Sequence, residues 1–290
     1  MFFIRIFTVL SFFISFFYAS ADKTVTLAYF KSSIKDVSAK DSKISLEIWV
    51  RELGKKIGLK VEPVYYGKIE EFKRDFENKK IDLAIASPLT FIKDMNTSLL
   101  TDGFYGGGKD TMQMCIVAKN DPKIKSLKDL RNKRIAVLTN DDIAVLYLDE
   151  FLLRNFHKST KNYFKKIIEV KKRSQGILKI FFDKADAAIV TKGAYLTAVE
   201  LNPQIKKRVK ILKEYNLNLS SPAYFRKDLD KNTIEKVKKA VFNLNTYPKG
   251  KQILTIFKIS KMVPCSVTKL KEMKKIYESY LKLKRKYEGE

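Results

Sequence analysis

Two stretches about a hundred residues apart follow one plan: IDLAIASPLTFI, from Ile81 to Ile92, and ADAAIVTKGAYL, from Ala185 to Leu196. Each sets an aspartate, Asp82 or Asp186, before a short apolar run and ends the run in a hydroxyl residue, Ser87 or Thr191. An echo of this kind predicts a repeat of architecture, and the flanking patterns bear the same reading.

Ahead of the first string, VTLAYF alternates like a strand. Leu46, Trp49, Val50, Leu53 and Ile57 then recur at helical spacing, and Gly58 stops that helix. A strand LKVEPVYY, a helix KIEEFKRDFENKK and the strand IDLAIAS complete β-α-β-α-β. From SLKDLRNKRIAVL the order recurs: strand RIAVL, helix IAVLYLDEFLLRNF, strand KKIIEVKK, helix QGILKIFFDK, strand DAAIVT. The predicted fold class is α/β, with two lobes that are each an open, mostly parallel sheet flanked by helices. A chain of 290 residues that is 45% hydrophobic is long enough to build both.

In such sheets ligands gather outside the carboxyl ends of the strands. Ser87 is well placed as a helix N-cap with Pro88 at the first helical position, which leaves backbone N–H groups facing that side. An ordinary helix start fits the same residues. Asp82 and Asp186 read as turn residues closing a helix-strand joint rather than as catalytic acids.

The N-terminus reads as a secretory signal peptide, residues 1–21. One basic residue, Arg5, precedes a mostly apolar segment Ile6 to Tyr18, and Ala19-Ser20-Ala21 forms a cleavage site. Its about 13 residues fall short of the roughly 20 that span a bilayer. Export and a periplasmic location follow from this reading. The two cysteines, Cys115 and Cys265, sit in apolar runs, so buried thiols or a disulfide both fit. With a single histidine, His157, and no cysteine cluster, no metal site and no cofactor are expected. The charge of +26 spreads over lysine-rich helix faces and reads as a solvated surface. An exported chain has no expected nucleic-acid partner. The glycines of GFYGGGKD lack the strand-to-helix context and Lys-Ser/Thr ending of a phosphate loop, and suggest a flexible approach to a hinge.

Five segments, in order, resemble the phosphate, phosphite and phosphonate type of ABC-transporter substrate-binding protein, which has the type 2 periplasmic-binding fold. They are KKIDLAIASPLTFI, GKDTMQMCIVAKNDPKIKSLKDLRNKRIAVL, FFDKADAAIVTKGAYLTAVELNPQIKKRVKIL, SSPAYFRKDLDKNTIEKVKKAV and KGKQILTIFKISKMVPCS. The resemblance implies two lobes joined by two crossing strands. Residues 22–118 open lobe 1, 119–216 form lobe 2, and 217–290 return to lobe 1 with the C-terminal helices. It implies ligand contacts at Tyr29, Tyr65, Tyr66, Ser87, Pro88 and Thr90 in the first lobe, and around Thr139, Asn140, Asp141, Arg173 and Thr191 in the second. There the chain departs from the family, because the usual serine and threonine cluster is replaced by Thr139-Asn140-Asp141-Asp142. Ionised aspartates accept but do not donate hydrogen bonds and repel an oxyanion. Helix capping is the alternative role for them. Arg173 stands where the family often has histidine; its fork suits an oxyanion, or would compensate Asp141 or Asp142.

The function implied is a monomeric, non-enzymatic protein that closes on a small anionic ligand and presents it to an ABC permease. A freestanding sensor that signals ligand to a membrane kinase or cyclase is the alternative.

Overall fold

The computed structural model describes residues 24–33, 39–107, 113–218, 220–256 and 259–289; the expected signal peptide, 1–21, lies outside them. The first lobe opens with β1 (Thr24–Phe30), α1 (Ala39–Ile57), β2 (Lys60–Tyr66), α2 (Ile69–Glu77), β3 (Leu83–Ile85), α3 (Pro88–Asp94) and β4 (Leu100–Gly107). The helical spacing in α1 buries Trp49, Val50 and Leu53 on one face. Gly58 follows with φ +62°, the left-handed turn that ends the helix without a Cβ clash. In α2, Phe72 and Phe76 lie four apart and are both buried, each contributing about 1.5–3 kcal/mol by leaving water.

The second lobe comprises β5 (Gln113–Lys119), β6 (Arg134–Leu138), α4 (Asp142–Phe156), α5 (Thr160–Tyr163), β7 (Lys166–Val170), α6 (Arg173–Phe181), β8 (Ala187–Thr191), α7 (Lys192–Leu201), α8 (Gln204–Arg208) and β9 (Val209–Asn218). The chain then returns through β10 (Ala223–Arg226), α9 (Lys231–Phe242), α10 (Pro248–Ile256), β11 (Lys261–Cys265) and α11 (Lys269–Glu288).

The repeat is exposed by strand order. The sheets run β2-β1-β3-β10-β4-β11 and β7-β6-β8-β5-β9. In the first, β1 pairs in parallel with β2 and β3, and in the second β6 does so with β7 and β8; an antiparallel strand that comes from the far side of a crossover, β10 or β5, flanks β3 or β8. The echoed aspartates do the same job in both sheets. Asp82 accepts the Thr26 N–H at 2.9 Å and an Arg226 N–H at 3.3 Å. Asp186 accepts the Arg134 N–H at 2.8 Å and is gripped by that residue's guanidinium at 2.9 and 3.0 Å. Each carboxylate staples the entering strand to its parallel neighbour and neutralises an arginine. The echoed hydroxyls are both N-caps: Ser87 Oγ accepts the Thr90 N–H at 3.1 Å and Thr191 Oγ1 the Ala194 N–H at 3.2 Å.

The chain changes sheets between Gly107 and Gln113, and again between Asn218 and Ala223. Both changes differ from the division at 118 and 216 read from the sequence, because β5 is paired along both edges, by β8 and β9, inside the second sheet. Of the glycines expected to be flexible, Gly103, Gly106 and Gly107 instead lie in β4. A Cβ on Gly103 would lie 1.9 Å from the Ala223 carbonyl oxygen, and Cβ atoms on Gly106 and Gly107 would press on Ile259 and Val263 at 2.8 and 2.9 Å. Close approach of β10 and β11, not mobility, selects them.

Helix α11 joins the lobes a third time. It starts beside β4, where Asp102 accepts the Val267 N–H at 2.8 Å, and buries Leu270 in the first lobe's core. Met273, Tyr277 and Tyr280 then pack on the second lobe's core. Near its end Glu288 accepts the Ser159 N–H at 2.8 Å, and Tyr287 stacks on His157 at 4.2 Å between ring centres. Cys115 and Cys265 are buried free thiols, one in each sheet. Burial pushes the Cys115 thiol up to about 12, so it stays protonated.

Candidate functional site

The carboxyl ends of β3 and β6 hand over to α3 and α4, and these two helix starts meet across the lobes. Ser87 and Thr90, on α3, are buried, and their hydroxyls lie 3.0 Å apart. From α4, half-buried Asp142 accepts the Ser87 hydroxyl proton at 2.9 Å with one oxygen and the Ile143 N–H at 3.0 Å with the other. Leu89, the next residue of α3 after Pro88, is buried among Met114, Ile143 and Met273 in the second lobe's core cluster. The lobes are therefore in contact at the site that the strand ends define.

One turn earlier the geometry rests on Asn140, whose φ of +62° bends the chain at the end of β6, a conformation that asparagine tolerates better than most residues. The bend sends Asp141 inward. Its carboxylate lies 2.5 Å from the guanidinium of Arg173 at the start of α6, and both side chains are almost wholly buried, 1% and 2% exposed. Although Asp141 occupies the N-cap position of α4, its side chain does not cap the helix. Thr139 is tied to β7, its hydroxyl donating to the Val170 carbonyl at 3.2 Å.

The tyrosines divide. The Tyr66 hydroxyl donates to Asp75 on α2 at 3.1 Å, and its ring packs on Phe72 at 5.4 Å. Burial and the Asp75 carboxylate raise that phenol to about 12. Tyr29 is buried in the first lobe's core, and burial holds its phenol well above the usual range. Tyr65, on the opposite face of β2, is 45% exposed.

The sequence-derived candidates thus separate into an interlobe group, Ser87 with Thr90; a buried ion pair, Asp141 with Arg173; and residues occupied within their own lobe, Tyr66, Thr139 and Thr191. Asp142, read from the sequence as a carboxylate repelling an oxyanion or as a helix cap, is the residue that reaches across. Its signal in the sequence was only its position just before the predicted helix IAVLYLDEFLLRNF. A separate groove of about 680 Å³ on the flank of the second lobe, between β7 and α6, has Val170, Leu178 and Phe182 for walls and Lys171, Lys179 and Lys184 at its rim. It shares no residue with the interlobe junction. Among the described residues no group of three metal-ligating side chains gathers, and no helix is long and apolar enough to cross a membrane.

Residues 34–270 match the family model for the periplasmic substrate-binding protein of phosphonate ABC transporters. The chain belongs to this family. Members of it are substrate-binding transport proteins, not enzymes, and they work in the periplasm. A solved Prochlorococcus marinus protein, PhnD1 in complex with methylphosphonate, superposes with a TM-score of 0.67 at 18% identity, over 90% of this chain and 99% of the other. A binding protein component of an ABC phosphonate transporter from Pseudomonas aeruginosa gives 0.63 at 14% identity, over 90% and 88%. A Xanthomonas citri protein bound to ATP gives 0.59 at 13%, over 91% and 99%. At these identities the likeness shows the type 2 periplasmic-binding fold. No curated protein matches the sequence.

Proposed function

We propose that this family member captures a small solute carrying an oxyanion, of the phosphonate or phosphate class, between its lobes and delivers it to an ABC permease. The protein would be exported by the segment 1–21 and act as a monomer. The observation that carries the reading is the family match over 34–270, and it agrees with two sheets whose strand ends converge on the buried hydroxyls of Ser87 and Thr90. Serine and threonine hydroxyls donate to oxyanions without adding a charge that must itself be neutralised. Arg173 enters this reading as support: paired with Asp141, it fixes the turn before α4 rather than offering a free cation to the solute.

Titration calorimetry and thermal melting with methylphosphonate, inorganic phosphate and phosphite test it. One of these should bind and, at a hundredfold excess over its Kd, add about 2.7 kcal/mol of stability. Binding of an amine-bearing solute with none of the three anions bound would overturn it.

A further inference from the structure

We propose that Asp142 is a resident acid of the cleft: its carboxylate occupies the seat at Ser87 that the acid group of the solute takes on binding. The inference rests on the oxyanion reading above and adds what sets affinity for such a solute.

A serine hydroxyl has one proton to give. The Ser87 oxygen already accepts from the Thr90 N–H at 3.1 Å and lies 3.0 Å from the Thr90 hydroxyl, and its own proton goes to Asp142 at 2.9 Å. An incoming oxyanion therefore competes with Asp142 for one donor, and two anions at that donor repel each other. The neighbouring charge pair does not relieve this conflict. Asp141 and Arg173 are already paired at 2.5 Å in the interior.

Asp142 is also built to yield. Its other oxygen caps the Ile143 N–H at 3.0 Å, and it is half-buried where Asp141 is enclosed. Because Ser87 belongs to the first lobe and Asp142 to the second, the same bond holds the lobes together before solute arrives. Solute binding then exchanges one closed state for another and discriminates against acids too weak to displace a carboxylate.

The test uses two variants that break the same hydrogen bond with opposite consequences. Asp142→Ala should bind methylphosphonate about tenfold or more tighter than the parent, equivalent to ~1.4 kcal/mol, with Asp142→Asn between the two. Ser87→Ala should bind it more weakly, since it removes the shared donor. Lobe separation is read without solute by distance measurement between spin labels at Lys68→Cys and Lys171→Cys, exposed positions just beyond β2 and β7; the native cysteines are buried. The parent should show the short distance, and Asp142→Ala and Ser87→Ala a longer one. Unchanged or weaker binding by Asp142→Ala overturns the competition. If no variant binds methylphosphonate or phosphate, the oxyanion reading fails, and the distances still judge Asp142: a parent-like distance in Asp142→Ala overturns its role as a lobe-to-lobe tie.

Discussion

Arg173 and Asp141 form an ion pair 2.5 Å apart, closed off from solvent at the start of α6 and the turn before α4. Removing one partner from such a pair leaves a charge stranded in the interior, and that cost exceeds what the pair itself contributes. Arg173→Ala and Asp141→Asn should each lower unfolding free energy by about 3–5 kcal/mol. Replacing both residues together by apolar side chains should cost much less. Urea denaturation of the three variants checks this, and single substitutions with parent-like stability would show that the pair is not enclosed in solution.

The second aspartate staple sets an acid limit. The Arg134 side chain holds the Asp186 carboxyl below its usual range against the opposing effect of burial, and the Arg134 backbone N–H adds to the depression. A depressed folded value means the stabilisation is complete above the unfolded value, near 3.9, and is lost as pH falls through the lower folded one. Asp186→Asn should therefore cost about 1.5–3 kcal/mol at neutral pH, toward the lower figure because Arg134 is 37% exposed. The gap between parent and variant should narrow only below about pH 4. A gap that stays constant from pH 7 to 2.5 would contradict the ion pair.

At Gly103 the obstacle is backbone, which cannot swing aside as a side chain can. With the Ala223 carbonyl oxygen 1.9 Å from the position of a Cβ, Gly103→Ala should cost at least about 1–3 kcal/mol through a forced shift of β4 against β10. Gly58→Ala meets no neighbour within 4 Å but stays strained by its φ of +62°, and should cost about 1 kcal/mol. Thermal melting of the two variants should rank Gly103→Ala as the more damaging.

Export makes a prediction about mass. Cleavage after Ala21 leaves a mature chain beginning at Asp22, and intact-mass measurement of protein recovered from the periplasm should find that N-terminus. A soluble periplasmic form retaining Met1 would refute it.

Local patterns carried the fold. The apolar runs ending at Ser87 and Thr191, the helical spacing through Trp49, Val50 and Leu53, and the glycine after Ile57 each act within a few residues. Strand, helix and cap were therefore readable from neighbours alone, and the repeated aspartate strings made two similar sheets the expected outcome. What lay beyond reach were partnerships between residues remote in sequence. The sequence offered Arg173 either a solute or Asp141 or Asp142 as its partner, and nothing near it decides for Asp141, 32 positions earlier. Nothing near Tyr66 states that its hydroxyl turns to Asp75 and away from the strand ends. The glycines of β4 looked like a flexible approach because the strands that crowd them, β10 and β11, arrive more than a hundred residues later. Asp142 shows the limit most clearly: the sequence put a carboxylate just before a predicted helix, and only the approach of the two lobes, which brings a residue 55 positions away within 2.9 Å, made that carboxylate the acceptor of the Ser87 proton. Short-range periodicity determines which elements form, whereas charge and hydrogen-bond partners are assigned by packing, because a buried donor or carboxylate must be satisfied by whatever the folded chain brings beside it.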